Sequence, residues 1–270
     1  MRTLRTIREL NAALDPIRAG SEVGLVPTMG ALHEGHQALA RAARSECDIV
    51  VASIFVNPAQ FGPGEDFERY PRDEERDARV AEEWSVDFIF APSREELYPQ
   101  GFQTWVEVEE ANHALEGQAR PGHFRGVATV CLKLFNLVRP ERAYFGQKDA
   151  QQAAVVERMV RDLNLPLEIR VVATVRDEDG LAFSSRNAYL SVEEREAART
   201  LPRALAAGAE AHRQGADAAL AAREALAGNP LLAPEYVEVA RLNGRTYLLA
   251  AVRAGSSRLI DNVVLEGDLA

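Results

Sequence analysis

Short apolar runs alternate with longer amphipathic segments over the first two thirds of the chain, and this alternation constrains the fold most. Several runs are apolar throughout, which is typical of strands buried on both faces of a parallel sheet. Strands that alternate with helices in this way predict an α/β fold with a doubly wound parallel sheet. The predicted strands are 22–27, 48–56, 87–92, 142–146 and 167–175, and the predicted helices are 1–14, 36–46, 73–85, 126–139 and 150–164.

The composition changes after residue 174. A polar loop is followed by an alanine-rich segment, 191–228, whose residues favour helix. Two strand-like runs, 235–242 and 257–265, come next. This pattern predicts a smaller α+β domain over 175–270, after a first domain over 1–174.

Charge, cysteine usage and hydropathy exclude several classes of protein. With 31 Lys and Arg against 41 Asp and Glu, the net charge of −10 disfavours binding to nucleic acid. Cys47 and Cys131 lie inside apolar runs, which predicts free core residues rather than a disulfide or a zinc site. No apolar run reaches the ~20 residues of a membrane span. We therefore expect a cytoplasmic protein that is not bound to a membrane.

The segment "VPTMGALHEGH", residues 26–36, follows the first predicted strand and leads into a helix. A helix N-terminus presents unpaired N–H groups and attracts anions, and Gly30 allows a ligand to approach the backbone closely. His33 and His36 are three residues apart and face the same way, so they add two imidazole donors. The segment indicates a phosphate site. A zinc pair, for which the H-E-x-x-H spacing is not met, and a pair of solvated histidines are the alternatives.

Polar residues follow other predicted strands. Asn57 and Gln60 offer amides to a small polar ligand, although Asn-Pro is also ordinary turn chemistry. Lys148 follows a predicted strand and a glycine, and a helix begins at Asp149; a lysine in this place either reaches a polyphosphate or is simply exposed. The loop at 184–186 suits a phosphate clamp or a solvated loop. Most of the acidic residues around Asp77 are explained by the start of a helix, where acidic side chains are favoured. One of them is a candidate ligand for Mg²⁺ brought in by ATP.

Seven motifs occur in a fixed order: "VPTMGALHEGH", "SIFVNPAQFG", "RYPRD", "RPGHFRGVATVCLKLFNLVRP", "AYFGQKDAQQ", "DGLAFSSRN" and "SRLIDN". In this order they resemble the pantothenate synthetase family, also called pantoate–β-alanine ligases. The resemblance extends from the N-terminus to about residue 263, which is almost the whole chain. One motif alone would be weak evidence, whereas the ordered set is highly specific.

The resemblance implies a Rossmann-like N-terminal domain, a smaller C-terminal lid domain and a homodimer. It places the chain among nucleotidyltransferases with an H-x-G-H phosphate site. It also implies the reaction: ATP, with Mg²⁺, and (R)-pantoate give pantoyl-adenylate and pyrophosphate. β-Alanine then attacks the adenylate, which yields pantothenate and AMP.

Motif positions of the family imply a role for individual residues. Gln60 would bind pantoate and β-alanine, Gln152 would bind pantoate, and Asp77 would be associated with Mg²⁺. His36 would be a proton donor. The four residues implied in catalysis are His33, His36, Lys148 and Arg186. The residues implied in ATP binding are Met29, Gly30, Ala31, Leu32, His33, Glu34, Gly35, His36, Gly146, Gln147, Lys148, Asp149, Val175, Phe183, Ser184, Ser185 and Arg186.

Three motifs depart from the usual residues of the family. Gln147 and Ala150 stand where Glu and Tyr are usual, Phe183 stands for Met, and Ala173 stands for Pro. The ligand-facing residues of these motifs are kept, so the same reaction class is expected. The rival hypotheses are another H-x-G-H nucleotidyltransferase, which would lack the two glutamines, and a catalytically silent nucleotide-binding protein.

Overall fold

The computed structural model describes residues 1–269, apart from the side chain of Asn112. The chain divides into two compact units. The first contains Met1–Phe145 and Gln151–Val172, and the second contains Gly146–Ala150 and the chain from Ala173 onward. The predicted domains 1–174 and 175–270 stay a prediction, because contacts alone do not show that either part folds by itself.

A six-stranded parallel sheet is the centre of the first unit, which confirms the predicted α/β class. Its strands are β1 (Arg2–Leu4), β2 (Val23–Thr28), β3 (Ile49–Ile54), β4 (Phe88–Phe90), β5 (Arg142–Gly146) and β6 (Glu168–Val172). The strand order, β1-β4-β3-β2-β5-β6, reverses between β2 and β5. In such sheets ligands bind outside the carboxyl ends of the strands at this switch point.

Helices α1 to α7 connect these strands. They are α1 (Ile7–Leu14), α2 (Glu34–Glu46), α3 (Glu74–Glu83), α4 (Arg94–Leu97), α5 (Leu115–Ala119), α6 (His123–Val138) and α7 (Ala150–Asp162), with 3₁₀ turns at Pro58–Gln60 and Glu109–Asn112. The predicted helix over 1–14 is wrong in its first turn. Residues 2–4 instead pair with β4, and α1 begins after a capping box between Thr6 and Glu9. Periodicity within the segment does not reveal a distant strand partner.

One core cluster of the first unit packs Val26 of β2 and Val50 of β3 against Ala40 of α2. Val23, Leu25 and Val51 alternate with these residues along the strands and are fully buried as well. Both faces of the central strands are therefore covered, which explains why these runs are mostly apolar. Cys47 and Cys131 are both buried and free, as predicted. Within residues 1–269, no helix has the length and apolar character needed to cross a membrane.

The second unit carries a three-stranded antiparallel sheet and three helices. Its elements are β7 (Leu232–Leu242), β8 (Arg245–Ala254), β9 (Ser257–Glu266), α8 (Val192–Ala198), α9 (Thr200–Arg213) and α10 (Ala218–Ala227), with 3₁₀ turns at Gln147–Asp149 and Ser185–Tyr189. The strands lie in the order β7-β8-β9. Strand β8 was not predicted, because its Ala and Leu content suits helix as well as strand. The Asn243-Gly244 pair, with both φ angles positive, was the hairpin signal that could have found it.

Candidate active site

The turn that leaves β2 has two consecutive left-handed residues. Gly30 has φ +84°, and Ala31 has φ +51° despite its Cβ. The amide of Gly30 donates to Thr28 Oγ1 at 3.1 Å, and Leu32 is buried. Met29 is half-buried before this turn. The chain therefore bends sharply at the switch point of the sheet and enters α2 at His33.

His33 and His36 cap the N-terminus of α2 reciprocally. His33 Nδ1 accepts from the amide of Gly35 at 3.2 Å, and His36 Nδ1 accepts from the amide of His33 at 3.3 Å. The ring centroids lie 4.1 Å apart, and Glu34 is exposed in the same turn. Because both Nδ1 atoms accept, each neutral ring carries its proton on Nε2. The fold thus makes both Nε2–H groups the donors at this helix start.

Within the part of the chain that the structure describes, His33 and His36 do not belong to a cluster of side chains that could bind zinc. Among residues 1–269, no group of three or more His, Cys, Asp or Glu side chains could hold a metal ion. Structural and catalytic zinc sites need three or four such ligands. The described residues therefore give no support to the zinc alternative for the histidine pair.

Asp77, in the first turn of α3, lies against the turn at 30–32. Its Oδ2 accepts from the amide of Ala31 and its Oδ1 from the amide of Leu32, both at 2.8 Å. Arg76 Nη1 is 3.4 Å from Oδ1. Burial raises the pKa of Asp77, while the two backbone amides and Arg76 act in the opposite direction. The Mg²⁺ role of Asp77 stays a prediction, and sequence analysis missed these backbone contacts.

Gln60 is buried beside the same turn. Its Nε2 lies 3.2 Å from Met29 Sδ, and its Oε1 accepts from Asn57 Nδ2 at 3.1 Å. Asn57 Nδ2 also donates to the carbonyl of Gly126 at 3.1 Å. The motifs that contain Met29 and Gln60 are therefore adjacent in the fold. The contacts with Met29 and Asn57 hold the side-chain amide of Gln60 in one orientation.

A polar brace made of Glu65, Arg120 and His123 holds the backbone of Gln60, and sequence analysis missed it. His123 Nδ1 donates to the carbonyl of Gln60 at 2.8 Å, and its Nε2 accepts from Arg120 Nη1 at 3.1 Å. Arg120 also forms a bidentate pair with Glu65, with both distances 2.8 Å. Burial alone would raise the pKa of Glu65, but Arg120 more than offsets it and lowers that pKa.

The brace predicts a pH dependence of stability. Burial, followed by the charge of Arg120, lowers the pKa of His123 to about 4, whereas an unfolded histidine titrates near ~6.5. Between these values the unfolded chain binds one more proton, so stability falls as pH falls. We expect wild type to lose about 2 kcal/mol more unfolding free energy than His123→Gln between about pH 7 and about pH 5, measured by urea titration. His212→Gln, at a partly exposed histidine, is the control, and equal slopes for wild type and His123→Gln would contradict the prediction.

The two glutamines at the start of α7 have different surroundings. Gln151 is buried, and it accepts from the amide of Glu116 and donates to the carbonyls of Ala111 and Ala114. Gln151 therefore holds the segment before α6. Gln152, the predicted pantoate ligand, is half-buried and takes no part in this set of bonds.

In the second unit, Asn262 of β9 clamps the 3₁₀ turn that carries Lys148. Asn262 Nδ2 donates to the carbonyls of Gln147 and Lys148 at 2.8 and 3.0 Å, and Gln147 Nε2 donates to Asn262 Oδ1 at 3.1 Å. The side chain of Gln147, which stands where the family usually has Glu, is therefore held by a hydrogen bond to Asn262. Lys148 stands two residues after Gly146, and its Nζ lies 3.5 Å from Asp149 Oδ1.

The predicted clamp loop of the second unit is anchored at its base. The amide of Phe183 donates to the carbonyl of Val175 at 3.1 Å. Arg176 forms a bidentate pair with the buried Asp261, at 2.6 and 3.0 Å. Ser184 Oγ accepts from the amide of Arg186 at 3.3 Å, and Ser185 begins the 3₁₀ turn. Asp261 and Asn262 are adjacent polar residues in an apolar strand, a signal that sequence analysis left without a role.

The family model of pantoate-beta-alanine ligase matches residues 2–264. The chain belongs to the pantoate–β-alanine ligase family. Its reaction is that of the family, the ATP-dependent condensation of pantoate with β-alanine to pantothenate. This confirms the resemblance, the reaction and the enzyme class expected from the ordered motifs.

Relatives cover the chain almost completely. The pantothenate synthetase of Moorella thermoacetica is 52% identical over 279 residues, with 98% of each chain covered. That of Chloroflexus aurantiacus is 54% identical over 283 residues, with 99% of each covered.

Solved structures of this family are similar as well. The pantothenate synthetase of Thermus thermophilus has a TM-score of 0.94 and 50% identity, covering 99% of this chain and 100% of that one. The pantoate–β-alanine ligase of Francisella tularensis, solved with beta-gamma ATP and beta-alanine, has a TM-score of 0.85 and 33% identity, covering 99% of each.

Proposed function

We propose that the turn at 29–36 binds the phosphates of ATP and stabilises the charge that builds while pantoate is adenylated. The reciprocal capping of His33 and His36 carries this proposal. It makes Nε2–H of each ring a donor at the N-terminus of α2, where backbone N–H groups and the helix dipole also favour an anion.

The proposed chemistry has two displacements. A carboxylate oxygen of pantoate attacks the α-phosphorus of ATP, the bond from that phosphorus to the bridging oxygen breaks, and pyrophosphate leaves. The amine of β-alanine then attacks the acyl carbon of pantoyl-adenylate, AMP leaves with the C–O bonding pair, and the amine loses a proton. No covalent intermediate with the protein is needed, so positioning and electrostatic stabilisation supply the catalysis.

Substrate-binding residues are proposed for each unit by itself. In the first unit, Gln60 would bind pantoate and β-alanine and Gln152 would bind pantoate; the fixed amide of Gln60 supports this role. In the second unit, Lys148 would donate to the phosphates from the turn that Asn262 holds. The remaining second-unit ligands proposed for ATP are Gly146, Gln147, Asp149, Val175, Phe183, Ser184, Ser185 and Arg186.

The proposal extends to Mg²⁺, assembly and location. Mg²⁺ would arrive with the ATP phosphates, because it prefers phosphate oxygens and water to an all-protein cage. When bound, it neutralises charge on the phosphates. A homodimer in the cytoplasm is proposed on the family resemblance, and no nucleic-acid partner is proposed for a chain with a net charge of −10.

The exchange of labelled pyrophosphate into ATP tests this function. We expect exchange that depends on pantoate and occurs without β-alanine, since adenylation is then reversible and the second displacement is blocked. Adding β-alanine should release AMP and pantothenate in equal amounts. Exchange that needs another acid, or that requires β-alanine, would contradict an adenylate formed from pantoate.

A further inference from the structure

The carboxylate of Asp77 is the one acidic group of α3 that is turned into the protein. It is 1% exposed, and its two oxygens accept from two successive backbone amides, those of Ala31 and Leu32. Arg76 supplies a nearby positive charge. A buried carboxylate requires hydrogen bonds and a counter-charge, and these contacts provide both.

The peptide groups that Asp77 binds flank a strained residue. Ala31 has φ +51°, a conformation that costs a residue with a Cβ about 1–2 kcal/mol. Such residues persist where their surroundings fix them. The two amides lie on either side of the φ and ψ bonds of Ala31. Arg76 Nη1 also donates to the carbonyl of Leu32 at 3.0 Å, so α3 holds the residue before His33 from both of its peptide groups.

The packing around Asp77 leaves little space for a hydrated ion. A Cβ built on Gly30 would lie 2.9 Å from Asp77 Oδ2, so the carboxylate is in close contact with the turn. Mg²⁺ requires octahedral coordination at about 2.0–2.1 Å and keeps several waters. A side chain that is almost fully buried, with backbone amides on both oxygens, offers no room for those waters.

We infer that Asp77 is a positioning residue: it holds the left-handed turn at 30–32 so that His33 and the N-terminus of α2 face the phosphates, and it is not a ligand of Mg²⁺. This inference rests on the proposed function of that turn. It replaces the metal role that the family resemblance implies. Asp77 acts through the backbone of the turn and touches no reacting atom.

Amide hydrogen exchange tests the inference without ATP or turnover. In metal-free protein, Asp77→Asn keeps the size of the side chain but places an NH₂ group against one backbone donor. We expect the amides of Ala31 and Leu32 to exchange about tenfold to a hundredfold faster in this variant, as the loss of hydrogen bonds to a charged group implies. Asp73→Asn is the matched control, because Asp73 caps the same helix and Asn caps equally well. Unchanged exchange at both amides in Asp77→Asn would overturn the inference.

Magnesium activation separates positioning from metal binding. In the pantoate-dependent exchange assay, we expect Asp77→Asn to lower the maximal rate about tenfold to a hundredfold through misplacement of the turn, with an unchanged half-activating Mg²⁺ concentration. A half-activating concentration raised tenfold or more, with activity restored by excess Mg²⁺, would overturn the inference.

Wild-type protein provides a measurement that does not depend on the folding of a variant. The amides of Ala31 and Leu32 should be protected equally in excess EDTA and in excess Mg²⁺. Protection that requires Mg²⁺ would identify Asp77 as a metal-dependent group and overturn the inference. Because these amides are read in the absence of ATP, failure of the proposed function would show separately, in the pyrophosphate exchange assay.

Discussion

His36→Ala and Lys148→Ala should each lower pantoate-dependent pyrophosphate–ATP exchange by ~10²–10³-fold, since the loss of one preorganised donor to developing charge typically has this effect. His36 would lose its Nε2–H donor, and Lys148 would lose a full positive charge. The rate of exchange at saturating ATP and pantoate is the measurement. We expect the reduction mainly in the maximal rate, because the donors act on charge that grows in the transition state.

Two matched substitutions control for these variants. His212→Ala removes a partly exposed imidazole of α9, which pairs with Glu266, and Arg213→Ala removes an exposed cation next to it. Both should keep wild-type exchange. All four variants should unfold at wild-type temperatures, except that His36→Ala also loses an acceptor of the α2 cap, which typically costs about 1 kcal/mol. Near wild-type turnover in His36→Ala or Lys148→Ala would remove that residue from the proposed machinery.

Gly126→Ala should impair both stability and activity. A Cβ at this position of α6 would lie 2.2 Å from the carbonyl oxygen of Ala59 and 2.6 Å from the amide nitrogen of Gln60. These are backbone atoms, so the 3₁₀ turn must move. Overpacking costs about 1–3 kcal/mol of unfolding free energy, and a shift of about 1 Å in a substrate-binding group can lower turnover ~10²-fold. Urea unfolding and pantothenate formation measure the two effects.

Whether Gly126→Ala lowers or raises the unfolding free energy shows which of two opposing effects is larger. Alanine in a helix is intrinsically better than glycine by about 1 kcal/mol, so a loss of stability means that the close approach outweighs helix propensity. Gly228→Ala is the control, because a Cβ there meets nothing closer than 3.9 Å. A Gly126→Ala variant with wild-type stability and turnover would show that the turn at 58–60 moves freely and that its position does not matter for Gln60.

Much of the fold could be predicted because local patterns reflect it. The apolar runs of β2 and β3 are buried on both faces, and the Ala-rich segment forms α8 to α10 by propensity. Strand β1 could not be predicted in the same way, because its three residues owe their conformation to pairing with β4. Short segments of this kind follow a distant partner rather than their own sequence.

In the candidate site, too, local spacing could be predicted, whereas contacts between distant residues could not. The spacing of His33 and His36 predicted a common direction, and their rings lie 4.1 Å apart. Reciprocal capping, and the tautomer that it fixes, needed the backbone amides of the folded turn. His123 gave no signal as a support of Gln60, because the carbonyl it binds lies 63 positions away.

By itself, the sequence determined the α/β class, the order of the motifs and the family, since these depend on hydrophobic periodicity and on residue types at fixed spacing. Only the tertiary structure decided what the polar residues between the motifs do. In the sequence, little distinguishes Asp77 and Asn262 from other acidic and amide residues. Their structural roles follow from the backbone groups they bind. Asp77 binds the amides of Ala31 and Leu32, and Asn262 binds the carbonyls of Gln147 and Lys148. Those partners lie 45 to 115 positions away, and a hydrogen bond at such a separation exists only after the chain has folded.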